Sequence, residues 1–132
     1  MKLYASELYS DWTRAQVTAA SHCLVSQITW VEMCAAFALK ERTGQVAPRQ
    51  TKAAVKRLHA EWPIYVRAAI EPPLLIKAGE LALQFGLRAY DSVQLASAYQ
   101  AHLQLGRNMV FLCFHQQLNV AAGKLGLNLQ LP

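Results

Sequence analysis

The fold of this chain is best predicted from residues 86–98, which read Gly86-Leu87-Arg88-Ala89-Tyr90-Asp91-Ser92-Val93-Gln94-Leu95-Ala96-Ser97-Ala98. The stretch places Asp91, one of only two aspartates in the chain, at the start of an apolar helix. A carboxylate that faces a core is costly unless it is paired, hydrogen-bonded or bound to a cation. The plainer interpretation is an N-cap or first-turn aspartate, which favours the exposed amides and the positive end of the helix dipole.

The composition predicts a single domain over residues 1–132. Of these residues 54% are hydrophobic and 16% are charged, so a sizeable core is expected. No apolar run approaches the roughly 20 residues that span a membrane, and the early charges predict no signal peptide. Three widely spaced cysteines, Cys23, Cys34 and Cys113, argue against a disulfide framework and a zinc site. We therefore expect a cytoplasmic protein with buried, reduced thiols and no membrane partner.

Apolar runs and helix-boundary residues predict helices that alternate with short strands. We expect helices over 10–20, 29–43, 48–62, 72–85, 91–105 and 116–125, and strands over 22–26, 64–66, 109–114 and 127–131. Pro48 and the pair Pro72-Pro73 mark helix starts, and Gly44 and Gly86 mark helix ends. The alternation predicts an α/β domain with three layers (α/β/α) and a short, mostly parallel sheet.

Glu32 is a second carboxylate at the start of an apolar helix. Thr29 precedes it by three residues, which is the spacing of a capping box, so a purely structural role is the alternative. If Glu32 and Asp91 point into one crevice, Mg²⁺ or Mn²⁺ would relieve their repulsion most simply, because both ions take oxygen ligands. Such an ion activates water and stabilises a displaced phosphate oxygen.

The net charge of +5 fits an anionic partner such as RNA, or an acidic protein. Arg49, Lys52 and Lys56 recur at i, i+3 and i+7, which places them on one face of a predicted helix. This face is either a phosphate-binding surface for RNA or a solvated helix face.

Two blocks of the sequence resemble PIN domains, and most closely the VapC-like toxins of bacterial toxin–antitoxin systems. One block is Thr29-Trp30-Val31-Glu32 with the alanine-rich helix after it. The more specific block is residues 86–98, which is similar to the family pattern Leu-x-x-x-Asp-(Ala/Ser)-x-x-Leu-Ala. The order of the predicted helices and strands also agrees with that family along the whole chain.

The resemblance implies a Mg²⁺- or Mn²⁺-dependent endoribonuclease in which Glu32 and Asp91 are the catalytic metal ligands. Thr29 and Ser92 are then expected to hydrogen-bond metal-bound water, and His115 to line the site. The resemblance also implies RNA as substrate and a cognate antitoxin protein as partner.

The chain departs from the family pattern in two places. The first strand and its aspartate are missing, since the opening Met1-Lys2-Leu3-Tyr4 is similar to the end of that pattern. A misassigned start codon or a truncated gene is one hypothesis, which the upstream in-frame codons test. His115 also stands where the family has its fourth acid or a nearby polar residue, although a helix cap or a surface role is the alternative. A neutral histidine suits Mn²⁺ better than Mg²⁺.

Two of four expected acids are therefore present, and we expect weakened activity or none. Loss of the first strand would also expose the edges of its neighbours, so we expect marginal stability, or rescue by a partner or by a homodimer. The alternative function is a catalytically degenerate PIN-like module that binds RNA or an antitoxin. A third possibility is an unrelated small α/β domain in which Glu32 and Asp91 are only helix caps. Metal titration separates the first two from the third, and RNA cleavage separates the first from the second.

Overall fold

Six α-helices and two short β-strands form the regular structure of the chain, so the mixed α/β class is confirmed. The computed structural model describes residues 1–132. Contacts divide them into two units, Met1–Arg67 and Ala68–Pro132. The three-layer PIN-like arrangement stays a prediction.

The first unit follows the predicted order of elements. It contains α1 (Ser10–Ala19), β1 (Leu24–Ser26), α2 (Thr29–Arg42), α3 (Pro48–Glu61), a 3₁₀ turn (Trp62–Ile64) and the start of β2 (Val66–Ala68). β1 and β2 pair as a two-stranded parallel sheet, and the Val66 N–H donates to the Cys23 carbonyl at 3.0 Å. The second strand begins two residues later than predicted, because Pro63 lies inside the 3₁₀ turn that follows α3.

The start of α2 differs from the prediction in its cap. Thr29 is the first helical residue, and the N-cap position belongs to Ile28, whose side chain makes no cap hydrogen bond. The predicted capping box of Thr29 and Glu32 is therefore wrong, since a capping box requires the hydroxyl residue at the N-cap. The buried Ser26 hydroxyl instead accepts the Ile28 N–H at 3.4 Å in the turn between β1 and α2.

The core of the first unit joins α2 to α3. Met33 and Phe37, one turn apart on α2, are buried together with Leu58 of α3. The partly buried side chains around them are Met1, Tyr4, Trp30, Ala54, Val55 and Trp62. Burying a side chain as large as Phe37 or Leu58 contributes roughly 1.5–3 kcal/mol.

The second unit is built on three helices. They are α4 (Pro72–Phe85), α5 (Ala89–Leu105) and α6 (Gln116–Lys124), with a 3₁₀ turn over Gly106–Asn108. α5 packs against both α4 and α6. The apolar pattern of α5 predicts a buried face of Val93, Leu95, Ala96, Ala98 and Tyr99; the first four are buried and Tyr99 is half-buried.

Helix α4 matches its predicted bounds but not every predicted core residue. Pro72 is its first residue, and Gly86 ends it in the left-handed conformation with φ 66°. Leu74, Ala78 and Leu81 are buried at i, i+4 and i+7. The apolar sequence of α4 also predicts that Leu75 faces inward, but Leu75 is 50% exposed because it lies one residue off that stripe.

Two predicted strands of the second unit are wrong as continuous strands. Residues 109–114 and 127–131 meet only at a single parallel bridge between Phe111 and Leu129. The Phe111 N–H donates to the Asn128 carbonyl at 2.7 Å, and the Gln130 N–H donates to the Phe111 carbonyl at 3.1 Å. An apolar run predicts burial, but a strand also needs a partner along its length, and here pairing stops after one bridge.

Candidate functional site

Helix α5 places the Asp91 carboxylate in the interior of the second unit. The helix begins at Ala89 with Arg88 as its N-cap residue, so Asp91 lies in the first turn and is not the cap. Asp91 is 7% exposed. Its position favours a negative charge through the helix dipole. The first-turn interpretation is confirmed, and the N-cap interpretation is wrong.

The Asp91 carboxylate lies near two basic side chains but accepts no hydrogen bond at Oδ2. Oδ2 lies 3.4 Å from Nε of Arg88 and 3.9 Å from Nδ1 of His115. The Arg88 side chain is 65% exposed, so its ion pair with Asp91 contributes little. A buried carboxylate oxygen without a hydrogen bond is costly, and this one is only partly compensated.

His115 occupies the N-cap position of α6, but its ring does not cap the helix. Its backbone N–H donates to Sγ of Cys113 at 3.2 Å. Its Nδ1 atom is buried and makes no hydrogen bond. The alternative of a cap residue is thus correct for the backbone only, and the ring nitrogen remains available as a ligand.

Cys113 lies beside Asp91 and His115 as a neutral thiol. Burial raises its pKa, and the negative charge of Asp91 raises it further, although hydrogen bonds from the backbone act in the opposite direction. A thiol with a raised pKa is a poor nucleophile at neutral pH. The arrangement therefore does not support cysteine chemistry.

Asn119 is a polar residue of this region that the sequence interpretation missed. Its Nδ2 donates to the Cys113 carbonyl at 2.8 Å, which fixes the orientation of the amide. Its Oδ1 is buried and makes no hydrogen bond. Asn119 follows His115 by one helical turn in α6, and that i, i+4 spacing is the signal that could have identified it.

Ser92 is almost completely buried beside Asp91 in α5. Its hydroxyl donates to the Arg88 carbonyl at 2.9 Å, and Ser97 makes the equivalent bond to the Val93 carbonyl. These bonds satisfy hydroxyl groups within an apolar helix. Because the Ser92 hydroxyl already donates its proton to the backbone, it can act at a site only as a hydrogen-bond acceptor or as a metal ligand.

Glu32 and Thr29 belong to the first unit, whereas Asp91, Ser92 and His115 belong to the second. Glu32 is half-buried in the first turn of α2, and Thr29 is the first residue of that helix. Within the second unit, the structure brings Asp91 and His115 together. The shared metal site of Glu32 and Asp91 stays a prediction.

The basic residues predicted for RNA binding form an exposed face of α3. Arg49, Lys52 and Lys56 are all exposed and form no ion pair, whereas Arg57 pairs with Glu61 on the same helix. No acidic residue lies in the first turn of α3. The three side chains are therefore free to meet phosphate groups.

Several wider features bear on the predicted classes of function. No group of three or more His, Cys, Asp or Glu side chains is arranged to hold a metal ion. No helix combines the length and apolar character that crossing a membrane requires. The chain matches no protein-family model and no curated protein.

Proposed function

We propose that this chain is a weakened metal-dependent endoribonuclease of the PIN type, similar to the VapC-like toxins. The observation that carries the proposal is the buried Asp91 carboxylate, whose Oδ2 accepts no hydrogen bond although it lies in the first turn of a helix. Burying a carboxylate without a full set of hydrogen bonds is costly, and binding a cation would offset that cost.

The sequence resemblance supplies the rest of this proposal. Glu32 is the second acidic ligand, and Thr29, Ser92 and His115 line the site. A PIN-like three-layer arrangement with a mostly parallel sheet belongs to the same proposal. The parallel pairing of β1 with β2 and the parallel bridge of Phe111 with Leu129 support it.

The proposed ion is Mg²⁺ or Mn²⁺, and its chemistry when bound is to polarise a phosphate and lower the pKa of water. The protein contributes the carboxylates that hold it. Arg49, Lys52 and Lys56 attract the RNA backbone, since each is exposed and free of acidic partners. The proposed setting is the cytoplasm, with a cognate antitoxin protein as partner and a homodimer as assembly.

A second candidate is a non-catalytic module that binds RNA or an antitoxin. The ion pair between Arg88 and Asp91 favours it, because a cation already lies beside the buried carboxylate. The absence of any group of three His, Cys, Asp or Glu side chains arranged to hold a metal ion favours it as well.

The experiment that tests the proposal is cleavage of a mixed RNA pool with Mn²⁺ or Mg²⁺. It compares the natural chain with Asp91→Asn and with Asp11→Asn. Asp11 is the matched control because its side chain is fully exposed and pairs only with Arg14. We expect metal-dependent cleavage that is lost in Asp91→Asn and kept in Asp11→Asn.

Two results would count against the enzyme. One is cleavage of equal rate in all three proteins, which would point to a contaminating nuclease. The other is no cleavage by any folded protein with either ion. RNA binding that persists in that case, and weakens when Arg49, Lys52 and Lys56 are replaced by glutamine, would support the second candidate.

A further inference from the structure

Three buried polar atoms of the second unit lack hydrogen bonds. They are Oδ2 of Asp91, Nδ1 of His115 and Oδ1 of Asn119. Each atom carries a lone pair that can be given to a cation when the histidine is neutral. Buried polar atoms are rarely left without partners, so these three require a physical explanation. Two of them, on Asp91 and His115, lie 3.9 Å apart, and Asn119 follows His115 by one helical turn.

We infer that Asp91, His115 and Asn119 form a site for a divalent ion that accepts nitrogen ligands, of the class of Mn²⁺, Co²⁺ and Ni²⁺, in preference to Mg²⁺. The inference deepens the proposed function, because it names the class of ion that the Asp91 site takes. It also differs from that function in adding Asn119 and in making His115 a ligand.

The distance between the first two ligands fits one shared ion. Oδ2 of Asp91 and Nδ1 of His115 are 3.9 Å apart, which is too far for a hydrogen bond. Two ligand atoms with metal bonds of about 2.1 Å lie at most about 4.2 Å apart, and about 3.0–3.4 Å apart at octahedral or tetrahedral angles. A small rotation of the two side chains would therefore bring both within bonding distance of one ion.

The third ligand is oriented by the backbone. The amide nitrogen of Asn119 donates to the Cys113 carbonyl, so the assignment of its oxygen and nitrogen is fixed by that bond. The Asn119 backbone N–H donates to the His115 carbonyl at 3.0 Å, which places Asn119 one turn after the N-cap residue of α6. An amide oxygen is a neutral ligand for a hard or borderline ion.

The donor set decides which ion is preferred. Mg²⁺ demands oxygen ligands in a near-ideal octahedron and sheds water reluctantly. Imidazole suits later divalent ions, and affinity for such a site rises from Mn²⁺ through Co²⁺ to Ni²⁺. The Cys113 sulfur accepts the His115 N–H at 3.2 Å and is not part of the proposed donor set.

Arg88 competes with a bound metal ion for the Asp91 carboxylate. Its Nε lies 3.4 Å from Oδ2 of Asp91, so its positive charge opposes a cation at the same oxygen. Because the Arg88 side chain is 65% exposed, it can move into solvent when an ion binds. Removing its charge should therefore tighten metal binding, which a purely structural ion pair does not predict.

The test is calorimetric titration of the full chain with MnCl₂, CoCl₂, NiCl₂ and MgCl₂, without RNA. We expect one equivalent of Co²⁺ or Ni²⁺ to bind at least tenfold more tightly than Mg²⁺. Asp91→Asn and His115→Gln should each weaken binding by at least about tenfold, since even supporting residues of metal sites cost that much. His22→Gln, a change of an exposed histidine in the first unit, should leave binding unchanged.

Two further variants keep the inference open to refutation if His115→Gln fails to fold. Asn119→Asp should tighten Co²⁺ binding, and Arg88→Gln should tighten it too. The visible absorption of bound Co²⁺ gives a second readout and should change in Asn119→Asp. Equal affinity for Mg²⁺ and Ni²⁺, or unchanged Co²⁺ binding in Asp91→Asn, would overturn the inference.

Failure of this site and failure of the nuclease give different results. Tight Co²⁺ binding that depends on Asp91 and His115, with no RNA cleavage, supports the site and removes the enzyme. RNA cleavage that is as fast with Mg²⁺ as with Mn²⁺, and that is unaffected by His115→Gln, would support the enzyme and rule out this metal site.

Discussion

The Tyr4 hydroxyl donates a hydrogen bond of 2.6 Å to Oε2 of Glu61, although the two residues are 57 positions apart in the chain. Arg57 donates to the other oxygen of the same carboxylate at 2.8 Å and lies over the Tyr4 ring, 5.1 Å from its centre. Burial alone would raise the pKa of Glu61, but hydrogen bonds from Tyr4 and Arg57 lower it overall. The first residues of the chain are thereby attached to the end of α3.

Replacing Tyr4 by phenylalanine should destabilise the protein by about 1–2 kcal/mol, because a hydrogen bond to a carboxylate is lost. Urea unfolding at pH 7 measures the loss. Tyr90→Phe is the control, since the Tyr90 side chain is exposed and its ring lies beside the Arg88 guanidinium. A loss in Tyr4→Phe no larger than in the control would show that the bond does not contribute to stability.

The stability of the first unit should depend on pH through Glu7. A hydrogen bond from Lys40, with Nζ 2.8 Å from the carboxylate, lowers the pKa of Glu7 from its ordinary value of 4.5, against the opposing effect of burial. A carboxylate with a lowered folded-state pKa adds stability above its unfolded pKa, and this contribution disappears as pH falls through the folded pKa. The natural chain should therefore be more stable than Glu7→Gln by the largest amount at pH 7, and this difference in unfolding free energy should disappear in acid.

Urea midpoints measured between pH 7 and pH 3 test this dependence. Glu80→Gln serves as control, because Glu80 is 60% exposed and pairs only with Lys77. A difference between the natural chain and Glu7→Gln that grows as the solution becomes more acidic would have the wrong sign and would refute the assignment.

Two leucines of α4 should respond very differently to truncation. Leu81 is fully buried, whereas Leu83, two positions later, is 90% exposed. Leu81→Ala should cost about 2–5 kcal/mol, since it removes buried methyl groups and leaves a cavity. Leu83→Ala should change stability by less than about 0.5 kcal/mol. Thermal unfolding of both variants checks the contrast, and similar melting temperatures would contradict the packing of α4.

Two glycines of the same region should change stability in opposite directions when replaced by alanine. Gly86 has φ 66°, where a side chain is strained, so Gly86→Ala should cost about 1–2 kcal/mol. Gly79 lies inside α4 with open space where an alanine Cβ would lie, so Gly79→Ala should stabilise by about 0.5–1 kcal/mol. Denaturant unfolding decides, and the same sign for both changes would rule out the left-handed helix end.

The sequence by itself determined the helices and the burial of Asp91. Pro48, Pro72 and Gly86 act within one turn of chain, so the bounds of α3 and α4 were predictable from local sterics. The apolar neighbours of Asp91 in α5 likewise indicated that this carboxylate is buried. Boundaries and periodicity of this kind depend on residues that are close in sequence.

Only the tertiary structure decided which strands form and which polar atoms meet. The 109–114 run has strand composition but pairs at a single residue, because ladder hydrogen bonds depend on a partner segment elsewhere in the chain. The approach of His115 to Asp91 and the position of Asn119 depend on how α6 packs against α5. Packing between distant segments sets such distances, and no local pattern in the sequence encodes them.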